Sequence, residues 1–264
     1  MRIITTTYEN NAAKATERRI AFTPDDISLE NEVINLYPQA RFQEILGFGG
    51  AFTEAAGYTL AAMDEGVRDQ IMDAYFGDGG LNYTMCRLHL DSCDFALGNY
   101  SAVGDPADAN LETFSLERDH KYILPCVTMA IAKSKRHIRF MMSPWSPPAF
   151  MKSNRQKNLG GKLLPQYFSL WAKYMAKYVR AYRDMGIDVM QLTVQNEPNA
   201  SKTWDSCVYT GSEEVFVAQA QAMHSLADEL LRRVLDKALV ASVAELRGRL
   251  SDVAATVLDL PQKK

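Results

Sequence analysis

Four times along this chain an aliphatic run of strand length gives way to helical spacing, and this alternation restricts the fold more than any other feature. Strands joined through helices run parallel, because an antiparallel pair is closed by a short turn instead. The strand-like runs are 45–52, 83–90, 137–142 and 188–194. Helical patterning follows them through Ala62 and over 67–76, over 116–134, over 165–185, and from residue 212 onward. The helix after the third strand is the clearest. Phe168, Trp171, Met175, Tyr178, Val179 and Tyr182 recur along it at helical spacing, and Gly186 stands where a left-handed C-terminal cap belongs.

Each run is followed by polar residues just past its end, which suits an α/β fold of the (β/α)8 TIM-barrel type better than a doubly wound sheet. Only about the first four βα units fit, since a complete barrel takes about 250 residues for eight. From 218 to 260 the apolar positions Leu226, Leu230, Leu231, Leu235, Leu239, Val243, Leu246 and Leu250 keep helical spacing with no strand between them. The sequence therefore predicts three parts. These are a short N-terminal β-segment over 1–42, where Ile27, Leu29, Val33, Ile34 and Leu36 hint at strands, a partial barrel over 43–217, and a helical tail over 218–264.

Charge removes several partner classes. The 29 Lys and Arg are dispersed among 32 Asp and Glu, leaving a net charge of −3, so nucleic acid and anionic membranes have no compositional support. No apolar run approaches the roughly 18 residues of a membrane span, and the first residues lack the apolar core of a secretion signal, so a cytoplasmic chain is expected. Cys86, Cys93, Cys126 and Cys207 form no close CxxC pair and read as buried free thiols rather than disulfides or a zinc site. No cofactor is expected, and the oligomeric state is left open.

The chemistry concentrates after the strands. The fourth run closes on Gln195-Asn196-Glu197-Pro198, which sets an amide and a carboxyl side by side at a strand's C-terminal rim, where barrel enzymes keep their reacting groups. Glu197 is the catalytic candidate, and a plain surface loop is the bland alternative. Gly47-Phe48-Gly49-Gly50-Ala51-Phe52-Thr53 lacks the third glycine of a dinucleotide fingerprint and any Walker lysine, so these glycines suit a close backbone approach. The segment from Arg87 to Phe95 presents an arginine, the carboxylates of Asp91 and Asp94 and an aromatic ring near one strand end. Metal ligation by His89, Asp91 and Asp94 is one reading of it. Asp94 accepting hydrogen bonds from sugar hydroxyls, with Arg87 steadying nearby acids, is the better one, and a surface ion pair is the third. Trp145, in Ser143-Pro144-Trp145-Ser146-Pro147-Pro148, offers either a platform for a sugar ring or packing that stiffens the loop.

These motifs, in this order, and Trp204-Asp205-Ser206-Cys207-Val208-Tyr209-Thr210 after them, resemble glycoside hydrolase family 30, the group that contains glucosylceramidases and β-1,6-glucanases. The resemblance covers 43–216. It implies a TIM barrel of retaining β-glycosidases acting on β-glucosides, glucosylated lipids or oligosaccharides, with Glu197 as acid/base and Asn196 holding the sugar 2-hydroxyl. Arg87, Asp94, Phe95 and Trp145 would line the glucose pocket, and Glu54 stands where family members often carry Asp. The family's nucleophile is a second Glu on the seventh strand. Glu213, Glu214, Glu229 and Glu245 all fall in helical patterning and do not fit that role, so the chain alone is expected to hydrolyse β-glucosides feebly or not at all. A non-catalytic sugar-binding or interaction module derived from the same barrel is the alternative.

Overall fold

A computed structural model describes residues 2–10, 12–21 and 37–236. The contacts divide the chain into two units, 1–45 and 46–264. In the first, β1 (Arg2–Glu9) and β2 (Ala12–Arg19) form an antiparallel hairpin in which Glu9 faces Ala12, with Asn10 in the left-handed conformation at φ +53°. The sequence reading gave 1–42 as a β-segment but set its strand hints at 27–36 and not here, because the hairpin is exposed and lacks hydrophobic alternation. The available signals were the β-branched run Ile3-Ile4-Thr5-Thr6-Thr7 and the Asn-Asn turn after it. Ile27, Leu29, Val33, Ile34 and Leu36 lie outside the described residues.

The second unit carries a parallel sheet of β3 (Ala51–Phe52), β4 (Met85–Leu90), β5 (Arg139–Pro144) and β6 (Val189–Leu192), each beside its predecessor. The crossovers are α1 (Glu54–Ala61) with α2 (Glu65–Phe76), then α3 (Glu117–Lys133), then α4 (Phe168–Asp184). This succession is that of a partial barrel, and all four βα units stand where the sequence put them. Across the sheet Phe52, Leu88, Met142 and Leu192 share one row, and the first three are buried against α2, α3 and α4 side chains such as Met72, Val127 and Met175. The neighbouring row, Ala51, Arg87, Met141 and Gln191, lies on the opposite face. Arg87 therefore stands on the face turned away from the helices, and the rim beyond it collects the polar loops.

Two elements differ from expectation. β3 is two residues long, because Gly47, Gly49 and Gly50 precede it. A Cβ at Gly49 would come within 1.9 Å of the Met85 carbonyl, so this stretch approaches β4 more closely than any side chain allows. β5, conversely, runs through Ser143 and Pro144, which the sequence reading placed outside regular structure. Pro144 occupies the last position, where no N–H is needed, and its carbonyl still accepts from Asn196 N at 2.8 Å.

Gly186 follows α4 at φ +83°, as its cap position requires. α5 (Gly211–Asp236) starts with a reciprocal cap: Glu213 N donates to Thr210 Oγ1, and Thr210 N donates to the Glu213 carboxylate. Glu213 and Glu214 are thus first-turn acids. The helix passes without a break across residue 218, and 237–264, with Glu245, lie outside the described residues. All four cysteines are free and buried. Among the described residues no helix is long and apolar enough to cross a membrane.

Candidate active site at the strand rim

Arg87 organises the rim. From β4 its Nε donates to Ser143 Oγ at 3.1 Å and its Nη2 to Asn196 Oδ1 at 2.8 Å, which ties three successive strand ends together. Its guanidinium lies 4.6 Å from the centre of the Trp145 ring, a cation–π stack. Because arginine only donates, it fixes the Asn196 amide with its oxygen toward Arg87 and leaves Nδ2 to donate elsewhere. Burial pulls the Arg87 guanidinium below its ordinary value, and the negative charges of Asp94 and Glu197 pull it back. Burial likewise pushes the Cys93 thiol up to about 12.

Glu197 follows at φ +48°, a left-handed conformation for a residue that also precedes proline. Both features disfavour it, at a cost of order 1–3 kcal/mol. Its carboxylate is exposed and lies 3.7 Å from Lys202 Nζ. Gln195 anchors the other side, its Nε2 donating to the Trp145 carbonyl at 2.6 Å. Trp145 itself is buried, 8% exposed, and its indole N–H has no hydrogen-bond partner among the described residues.

The structure therefore gathers Arg87, Trp145 and Asn196 by direct contact and brings Asp94 and Glu197 into the field of Arg87. Phe95 is exposed, and none of these contacts involves its ring. Asp91, read as an exposed rim carboxylate, is instead fully buried. It accepts from the Tyr174 hydroxyl at 2.5 Å and from Ala102 N at 3.0 Å. His89 accepts from Glu54 N at Nε2, so Nδ1 carries the proton and donates to the Asp91 carbonyl. Both ring nitrogens are occupied, and no cluster of metal-ligating side chains exists among the described residues.

Sequence reasoning assigned no role to Ser143 and Gln195, whose partners Arg87 and Trp145 lie 56 and 50 residues away, and it missed Lys202, which faces Glu197. It also missed a buried charge cluster beneath the rim. Lys157, 6% exposed, donates to Ser101 Oγ at 3.2 Å and to the Ser146 carbonyl at 3.1 Å. Its Nζ lies 3.5 Å from Asp91 and 3.9 Å from Asp205. Asp205 accepts in turn from Ser92 Oγ. Lys152, fully buried, donates to the carbonyls of Lys157 and Ser206, and burial lowers its ammonium to about 8. These groups join the loops that follow β4, β5 and β6.

A family model of the glycosyl hydrolase family 30 TIM-barrel domain matches residues 45–237. The mouse lysosomal acid glucosylceramidase is 34% identical over 173 residues, 64% of this chain and 34% of that protein. A glucosylceramidase-like protein of Caenorhabditis elegans, putative glucosylceramidase 3, is 35% identical over 68% of this chain and 36% of its own length. Among solved structures, SrfJ from Salmonella typhimurium is 40% identical with a TM-score of 0.71, over 84% of this chain and 48% of that one. An endo-β1,6-glucanase aligns with a TM-score of 0.71 at 27% identity, over 86% of this chain and 50% of that one. The chain spans about a third of the length of these curated relatives.

Proposed function

The chain belongs to glycosyl hydrolase family 30, and from that premise we propose that the Arg87 cluster is a β-glucoside site of the retaining type with Glu197 as its acid/base. One observation carries the reading. The Trp145 indole N–H is buried without a partner beside Arg87 and Asn196, an arrangement that costs about 1–3 kcal/mol unless a ligand accepts from it. A sugar hydroxyl is such an acceptor, and Asn196 Nδ2 offers a second donor for another hydroxyl. Glu197, at the exposed edge of the cluster, protonates the leaving glycosidic oxygen and then activates water.

Retention needs a second carboxylate about 5–5.5 Å away as nucleophile. In the proposed reading this chain supplies the acid/base half, so that it binds β-glucosides and turns them over slowly or not at all on its own. Calorimetric titration with methyl β-glucoside tests the binding, and Trp145→Phe, which keeps the ring and removes the donor, is expected to weaken it about tenfold. Unchanged affinity in that variant would overturn the site. Robust hydrolysis of an activated aryl β-glucoside by the purified chain would overturn the half-site.

A further inference from the structure

The loop that follows β4 carries Asp94 and Phe95, both exposed, at its tip. Its neck is closed by Tyr100 N, which donates to Ser92 Oγ at 3.0 Å, and one turn, from Ala96 N to the Cys93 carbonyl at 3.1 Å, shapes the tip. What fixes the tip is α1. The first turn of a helix leaves four N–H groups without partners inside the helix, and in α1 two of them reach other elements. Glu54 N donates to His89 Nε2 at 3.2 Å, and Ala55 N donates to the Phe95 carbonyl at 3.0 Å. Thr53 takes the remaining two, those of Ala56 and Gly57. The Glu54 side chain completes the clamp: its Oε2 accepts from Leu97 N at 2.7 Å, so one helix end holds the loop on both sides of Ala96.

Glu54 is fully buried, and a buried carboxylate needs compensation. Arg118 of α3 supplies it, donating to both carboxylate oxygens from a partly exposed position. α1 has little room to shift against α3, since a Cβ at Gly57 would come within 2.4 Å of the Tyr122 carbonyl. An ion pair that merely joined these two helices would not need to reach back to Leu97 N. Resting on the glucoside reading of the Arg87 cluster, we infer that Glu54 is a positioning residue of that site: through Leu97 N it fixes the loop tip so that Asp94 meets the sugar hydroxyls beside Arg87 and Asn196.

Calorimetric titration of the whole chain with methyl β-glucoside, set beside hydrogen exchange at the Leu97 amide, tests this. In the unmodified chain that amide is expected to exchange slowly although the Leu97 side chain is exposed. Glu54→Leu removes both acceptors; it should free the amide and weaken methyl β-glucoside binding about tenfold. Arg118→Met removes the ion pair alone and should change neither readout, whatever it does to unfolding. Glu54→Gln combined with Arg118→Met leaves an uncharged side chain whose amide oxygen still accepts from Leu97 N, and affinity there should lie within about twofold of the unmodified chain. Should Glu54→Leu not fold, exchange at Leu97 in the unmodified chain and the affinity of the double variant still decide. Suppose the unmodified chain binds the glucoside. Free exchange at Leu97, undiminished binding by Glu54→Leu, an equal loss in Arg118→Met, or a double variant that binds no better than Glu54→Leu would each overturn the positioning role and leave the glucoside site standing. If methyl β-glucoside does not bind the unmodified chain, both readings fall.

Discussion

Lys157→Met removes a cation from between two buried carboxylates while keeping most of the side-chain volume. Asp91 is fully buried, and Asp205 is 2% exposed. Breaking a buried pair by deleting one partner costs about 3–5 kcal/mol, since the remaining charge is left uncompensated. The penalty also carries a pH signature. Asp91 is held above its ordinary carboxylate value, by burial first, with Lys157 the largest of the pulls back down. A carboxyl raised in the folded state makes folding take up a proton, so its stabilising effect is complete below the unfolded value and fades as pH rises toward the folded one. Without Lys157 that window extends upward. The loss measured by urea unfolding is therefore expected to be larger near about pH 7 than near about pH 5, since the uncompensated Asp91 takes up a proton more readily as the pH falls. Asp91→Asn added to Lys157→Met should recover part of the loss, as a double-mutant cycle requires for coupled groups. A loss within the about 1 kcal/mol of an exposed ion pair, or one equal at both pH values, would refute the idea that these charges are sealed from water.

Three further outcomes follow from the same geometry. Glu197→Gly should be more stable than Glu197→Ala by about 1–2 kcal/mol in denaturant unfolding, because only glycine takes φ +48° without a Cβ penalty. Asp119→Ala leaves the hydroxyls of Tyr100, Tyr178 and Tyr182 without their shared acceptor and should cost at least about 3 kcal/mol in the same measurement, with Asp119→Asn milder. Gly49→Ala forces its Cβ against the Met85 carbonyl and should lower stability by about 2–3 kcal/mol, whereas Gly79→Ala, with nothing within 4 Å, should change it by less than about 0.5 kcal/mol.

The parts of the fold that were legible in the sequence are those set by local periodicity. The four strand-helix units and the cap at Gly186 follow from spacing that each segment carries within itself. Within the β-segment read over 1–42, the exposed strands of the hairpin of 2–19 were not located, because solvent on both sides removes the alternation that marks a strand, leaving only β-branched composition. At the site, Trp145, Asn196 and Glu197 stand just past a strand run and Arg87 lies within one, so their place near the strand ends could be read from the sequence, while their grouping in one pocket came as what the family resemblance implies. The roles of Ser143 and Lys157 could not, since their partners lie 56 residues away in the chain at Arg87 and Ser101. Asp91 misled for a related reason. A carboxylate in a polar stretch reads as exposed, and only the meeting of Tyr174 with Ala102 around it provides the hydrogen bonds that make its burial tolerable.

That burial bears on how the rim works. As the acid/base proposed above, Glu197 would have to hold its position to within a fraction of an ångström, yet it sits in a loop and in a strained conformation. Left to itself such a residue would relax. The restraint comes from its neighbours: Asn196 N is bound to the Pro144 carbonyl, Asn196 Oδ1 to Arg87, and Gln195 to the Trp145 carbonyl. Beneath them, Lys157, Asp91 and Asp205 lock the supporting loops to one another. Packed hydrophobic residues would hold the loops together at less electrostatic cost, but they have no fixed donors and acceptors with which to set the register of one loop against the next. A buried ionic cluster under the rim is thus better suited to placing the loop that carries Glu197 than to stabilising the fold, and loss of Lys157 should loosen the rim before it unfolds the chain.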